Sequence, residues 1–211
     1  MFDKIKEIIE NSNFDGQLIE TSSDGRINSA LSEDIIYNHV KNILGADYQL
    51  EKMIDRYWYD MSIKYKDEFF PINIKISTGD SADNASSKKG LFYAMTGIMP
   101  ENIKGIHTWV TFNKELLNNF NYNTNADYYY LVYFKNDNKF LFTSLKRLNK
   151  VVVNSNNLPF QIKWKDNLEY TERSVKEQCL YLVKQFIVGY KQQLKGIEYL
   201  NQFEQIWGLN D

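Results

Sequence analysis

The residues best suited to chemistry lie in two neighbouring runs. "FFPINIKIS", Phe69 to Ser77, sets Asn73 and Lys75 among isoleucines. Successive side chains on a strand point to opposite faces. Ile72, Ile74 and Ile76 therefore take one face, and Pro71, Asn73, Lys75 and Ser77 take the other. A lysine inside an Ile-rich strand needs a sheet edge or a charged partner. The preceding β-rich run, 57–65, offers Asp60. There, alternation groups Tyr59, Met61 and Ile63 against Asp60, Ser62 and Lys64. If the runs 57–65 and 69–77 pair as a hairpin through the turn "KDE", Asp60, Asn73 and Lys75 converge on one side of the sheet. A carboxylate, an amide oxygen and an ammonium together suit metal-assisted phosphodiester cleavage. Mg²⁺ takes oxygen ligands, few of them from protein. It lowers the pKa of water and neutralises phosphate charge. A lysine can orient the attacking water and stabilise the pentavalent transition state.

Asp60, twelve intervening residues and then Asn73-Ile74-Lys75 resemble the PD-(D/E)xK nuclease signature, an acid followed by acid-x-lysine on the next strand. The layout from about 30 to 100 is similar to that of type II restriction endonucleases of the EcoRV kind. "LSEDIIYNHV" stands where those enzymes carry an acidic residue on an N-terminal helix, which makes Glu33 the candidate third acid. "ISTGDSADNASSKKGLFYAMTG" stands in the post-lysine position. The resemblance implies a restriction-endonuclease-like α/β (α+β) fold, with a mixed central β-sheet flanked by helices. It also implies Mg²⁺-dependent, site-specific hydrolysis of double-stranded DNA, with Asp60, Asn73 and Glu33 at the metal. Two positions depart from the pattern: Tyr59 stands where proline is expected, and Asn73 where the second carboxylate is expected. An amide oxygen is the weaker Mg²⁺ ligand. Either Asp60 and Glu33 supply the negative charge, or Asn73 replaces a native aspartate, or the protein is an inactive relative. Glu33 also has a purely structural reading, as an acid favoured by the dipole of a helix first turn.

DNA recognition needs phosphate contacts for register and base-edge contacts for specificity. Thr78, Ser81, Asn84, Ser86, Ser87, Lys88 and Lys89 follow the lysine strand and carry donor types for both. Asn154, Asn156 and Asn157 form a second candidate loop, because asparagine can pair bidentately with adenine. Lys146, Arg147, Lys150, Lys163 and Lys165 are candidates to follow the phosphate backbone. A palindromic target would demand a two-fold homodimer. Three other readings remain: a structure-specific repair or recombination nuclease, a noncatalytic DNA-binding module, and a coincidental "NIK" motif. An exposed Lys75 with no acid nearby would mark the coincidence.

The elements that must position these residues follow from periodicity. Helices are expected at 2–12, 32–44 and near 112–120, and as a long C-terminal helix. In the second, Ile35, Ile36, His39, Val40, Ile43 and Leu44 form the stripe and Gly45 the stop. The C-terminal stripe is Val175, Cys179, Leu182, Phe186, Tyr190, Leu194 and Ile197. "TSSDGRINS" and 78–90 read as loops, and "GLFYAMTGIM" as a short helix or strand. "DYYYLVYF", "KFLFTSL", "KVVV" and "FQIKW" read as strands.

The 211 residues, 43% hydrophobic and 15% aromatic, suit one domain over 1–211 with a substantial core, which the resemblance implies is a single nuclease domain. Cys179 has no partner cysteine, and His39 and His107 stand apart, so disulfide, Cys-cluster and His-cluster metal readings fail. Together with the absence of a signal-peptide pattern or an apolar membrane span, this makes the cytoplasm the expected compartment. The net charge is −2, yet 1–60 holds 6 basic and 12 acidic residues while 135–195 holds 12 basic and 5 acidic. Either the surface is polarised, or these are scattered solvated charges.

Overall fold

The computed structural model describes residues 1–16, 18, 25–84, 87–153 and 160–194, with the side chains of 25–30 and 193 excepted. Five helices and eight strands follow in the order α1 (Phe2–Glu10), α2 (Gly25–Leu44), β1 (Gln49–Lys52), β2 (Met61–Tyr65), β3 (Glu68–Ser77), β4 (Ala82–Asp83), α3 (Lys88–Thr96), α4 (Trp109–Asn119), β5 (Tyr129–Phe134), β6 (Lys139–Ser144), β7 (Val152–Val153), β8 (Phe160–Lys163) and α5 (Val175–Leu194).

The central sheet has five strands in the order β1-β2-β3-β5-β6. Strands β1 to β3 form an antiparallel meander, and β5 and β6 pair antiparallel. Between them β3 and β5 run parallel. A parallel pair needs a long crossover, and α3 and α4 lie within that connection. The fold is thus the expected mixed α/β class, a mixed sheet flanked by helices. A small sheet, β4-β8-β7, lies apart from it.

Alternation along the strands builds two cores. On one face Ile63, Ile72, Ile74, Leu131 and Phe142 pack with Ile5 and Ile9 of α1 and with Ile36 and Val40 of α2. On the other, Tyr130 and Val132 pack with Leu91 and Phe92 of α3, Phe112 of α4, Ile162 and Trp164, and Leu182 and Phe186 of α5. His39 belongs to the first layer: its ring stacks on Phe140 at 5.5 Å and meets Phe14 edge-on, and its Nε2 lies 2.9 Å from Ser12 Oγ.

Several boundaries differ from expectation. The helix expected at 32–44 starts at Gly25, so the second half of "TSSDGRINS" is helical. It holds no proline to stop helix propagation. The segment 78–90 is not core-less loop. It contains β4, which pairs with β8, and the first turn of α3. "GLFYAMT" is helix and ends at Gly97, whose φ of +76° suits glycine. The strand expected from 57 begins only at Met61, and Tyr59 packs with the core opposite to that of Met61 and Ile63. Ser86, Asn154, Asn156, Asn157 and Ile197 lie outside the described residues. Among the described residues no helix is long and apolar enough to cross a membrane.

Candidate active site

The hairpin register places the candidate residues. Met61 stands opposite Ile72, and the ladder continues one step as the Asp60 N–H donates to Ile72 O at 2.9 Å. Beyond that the chain leaves the sheet, and the Asp60 carboxylate takes over. Its Oδ2 accepts the Ile74 N–H at 2.6 Å, satisfying an amide that the departing strand would have bonded. On the other side Asp60 O accepts the Met53 N–H at 2.9 Å. The carboxylate is thereby fixed against β3 in the register step that faces Asn73.

Asn73 and Lys75 point to the face of α3, opposite Tyr130 and Val132 of β5. Both are half-buried. Burial pushes the Asp60 carboxyl up from its usual range, and the charge of Lys75, the Ile74 N–H and the charge of Lys52 oppose that shift. Lys75 is therefore neither exposed nor without an acid nearby, the condition that would have marked its motif as coincidence. Asn73 Oδ1 is buried and has no hydrogen-bond partner among the described residues. A buried amide oxygen left unpaired is costly and suits a site that expects a cation. One carboxylate and this oxygen could serve together as ligands of a single divalent ion. Among the described residues no group of three or more His, Cys, Asp or Glu side chains gathers to hold a metal.

Beneath these residues sits Tyr128, which no pattern in the sequence singles out. It is fully buried, and its hydroxyl donates to Trp58 O at 2.7 Å. Burial drives its phenol far above the usual range and the Asp60 charge adds to this, while Ser87 and Asn73 hydrogen bonds oppose it. The start of α3 closes over the same tyrosine. A Cβ on Gly90 would meet the Tyr128 ring at 2.9 Å, so only glycine allows this approach. Ser87 caps the helix, accepting the Gly90 N–H at 2.9 Å. The positive end of the α3 dipole thus lies beside the Asp60–Asn73 pair.

The remaining candidates divide. Glu33 is half-buried on α2, the helix packed on the opposite face of the sheet. The charges acting on Asp60 are those of Lys75 and Lys52. Lys52 itself pairs with Asp34 of α2, so the helical acid tied to the site's margin is the neighbour of Glu33. Thr78 and Ser81 are exposed. Asn84 is exposed and accepts from Gln161 Nε2 at 2.8 Å. Lys88 lies 4.3 Å from the Trp109 ring centroid, and burial pulls its pKa down. Lys89 is half-buried in the first turn of α3. Lys146 corrects one expectation. It is buried and donates to Thr124 O and Ala126 O at 2.8 and 2.7 Å, so it holds the chain rather than a phosphate. Lys150 and Lys165 pair with Asp166 and Asp80.

No protein-family model matches this sequence, and no curated protein matches it significantly.

Proposed function

We propose that the chain is a type II restriction endonuclease that hydrolyses double-stranded DNA at a specific site with Mg²⁺. The observation that carries the reading is the β2–β3 hairpin itself. It sets the Asp60 carboxylate against Asn73, with Lys75 two residues on and on the same face. The element order adds support. An acid-bearing helix precedes the hairpin, and the sheet is mixed and flanked by helices.

In this reading Asp60 and Asn73 Oδ1 would hold the cation, and Asp34 of α2, tied to the site's margin through Lys52, would supply further acid. A divalent ion held there would supply neutralisation of charge on the scissile phosphate and a more acidic water. The Lys75 ammonium orients the attacking water and donates to the phosphate oxygens as charge builds on them. The N-terminus of α3 adds backbone N–H groups and positive potential for a neighbouring phosphate. Thr78, Ser81, Asn84 and Lys89 would follow the DNA beyond it. A second reading, a DNA-binding relative without catalysis, is favoured by one feature, the neutral amide at Asn73.

Digestion of a sequence-diverse plasmid with Mg²⁺ or Mn²⁺ separates the two. Discrete fragments from the parent or from Asn73→Asp, lost in Lys75→Ala, are the expected result. Intact plasmid with both proteins in both metals would overturn the nuclease assignment.

A further inference from the structure

A cleft of about 540 Å³ opens elsewhere on the molecule, between the start of α1, the 122–127 segment and the 170–175 segment. Its walls include Phe2 and Tyr129 of the core opposite Asn73 and Lys75, so it is separate from the candidate active site. The volume falls in the range of small-molecule sites, roughly 300–1,000 Å³.

The cleft is lined by more positive than negative charge. Arg147, Arg173 and Lys146 line it, and Asp127 is the acid among the described lining residues. Asp127 is already engaged. Its Oδ1 accepts the N–H groups of Tyr128 and Lys146 at 2.8 and 3.2 Å, and the Lys146 charge lies near. The Lys146 ammonium is spent on two carbonyls. The two arginines therefore set the character of the cleft.

Both guanidinium groups are held flat in advance. Arg147 lies 4.1 Å from the Phe2 ring centroid and 4.9 Å from that of Tyr170. Its ion pair is a long 3.8 Å contact to Asp3, whose side chain is 82% exposed, so water screens it heavily. Arg173 stacks on Tyr181 at 4.0 Å. Its bonds to Asn149 O, Thr171 Oγ1 and Gln178 Oε1 all use Nη1, which leaves the rest of the fork for a ligand. Between them the buried Tyr170 hydroxyl makes no hydrogen bond of good geometry among the described residues, and the Arg147 guanidinium lies close enough to act on it. Stacked guanidinium forks in a concave, aromatic-walled cleft match a phosphate carried on a planar ring.

We infer that this cleft binds a small phosphate-bearing ligand of nucleotide size, with Arg147, braced on Phe2, as the main phosphate contact and Tyr170 as aromatic wall. ADP, inorganic phosphate and adenosine, each titrated into the full chain by calorimetry, test it. ADP should bind saturably, phosphate more weakly, and adenosine not detectably. Arg147→Met keeps apolar contact with Phe2 and should weaken ADP at least tenfold, about 1.4 kcal/mol. Tyr170→Phe should weaken ADP without loss of fold, and Asp3→Asn should leave ADP binding equal or tighter. These two variants carry the test if Arg147→Met does not fold. Absence of ADP binding, or ADP binding that none of these variants alters, would overturn the inference. Displacement of ADP by a short DNA duplex with the same Arg147 dependence would assign the cleft to backbone phosphate and overturn the small-ligand class.

Discussion

At the scale of single residues, Asp60, Asn73 and Lys75 were legible because their arrangement is local. A hairpin joined by a short turn has few registers open to it, and strand alternation then fixes which side chains meet. Tyr128 was not legible. It reaches Asn73 from the position just before β5, about fifty residues further along the chain, and nothing in "DYYYLVYF" marks which tyrosine lies beneath the site. Lys146 misled for the same reason, since a buried lysine capping two carbonyls has the same letter as a surface one. His39 shows a titration the sequence could not grade. Burial lowers its pKa and the Asp15 charge partly restores it. The folded form then binds a proton less readily than the unfolded chain. Its stabilising effect is complete above the unfolded pKa, near 6.5, and is lost as pH falls through the lower folded value. Thermal melts from about pH 7 to pH 5 should therefore show a larger loss of Tm for the parent than for His39→Gln. Equal losses would contradict that account of the ring.

At the scale of elements, the α2 stripe was read well and helix starts poorly, while in α5 Cys179, Leu182 and Phe186 are buried but Val175 and Leu194 of the expected stripe are exposed. Ile36, Val40 and Leu44 are buried as their spacing requires, but α2 begins seven residues before the expected Ser32. Gly25 and polar neighbours resemble a loop and are equally tolerated in a first turn. The strand β4 escaped notice because a two-residue pairing leaves no periodicity. The small sheet it joins is held by tertiary contacts, including the Trp164 indole N–H donating to Asp83 Oδ2 at 2.6 Å. The element that matters most for the site is α3. Ser87 was read as a DNA contact, and its visible role is to cap that helix. Ser87→Ala should cost about 1 kcal/mol, and Ser87→Asp should recover most of it. Gly90→Ala should cost roughly 1–3 kcal/mol, because the new methyl group collides with Tyr128. Chemical denaturation measures both, and a Gly90→Ala protein as stable as the parent would show that α3 does not press on Tyr128.

At the scale of the molecule, the two cores divide the work. One clamps α1 and α2 to the Ile face of the sheet. The other leaves Asn73 and Lys75 half-open under α3, α4 and the small sheet. Single-strand alternation made that division readable, whereas the parallel β3–β5 pairing depends on a crossover that no local pattern reveals. The basic balance of 135–195 is partly absorbed by internal bonds of Lys146, Lys150, Lys165 and Arg173. On the proposed nuclease reading, DNA affinity should therefore depend on few phosphate contacts and fall less steeply with salt than the raw lysine count suggests. A log–log salt slope of magnitude below about 9, the value for roughly ten neutralised phosphates, is expected. A steeper slope would contradict it.

The most direct measurement is the single-turnover cleavage rate of Asn73→Asp against Asn73→Asp/Lys75→Ala in Mg²⁺, on a DNA fragment that the parent or Asn73→Asp cuts or retains. Asn73→Asp should exceed the parent by roughly 10- to 100-fold, and removal of Lys75 should then cost roughly 10²- to 10⁴-fold. Equal rates with and without Lys75, or no cleavage after the carboxylate is supplied, would contradict an active site built on this hairpin.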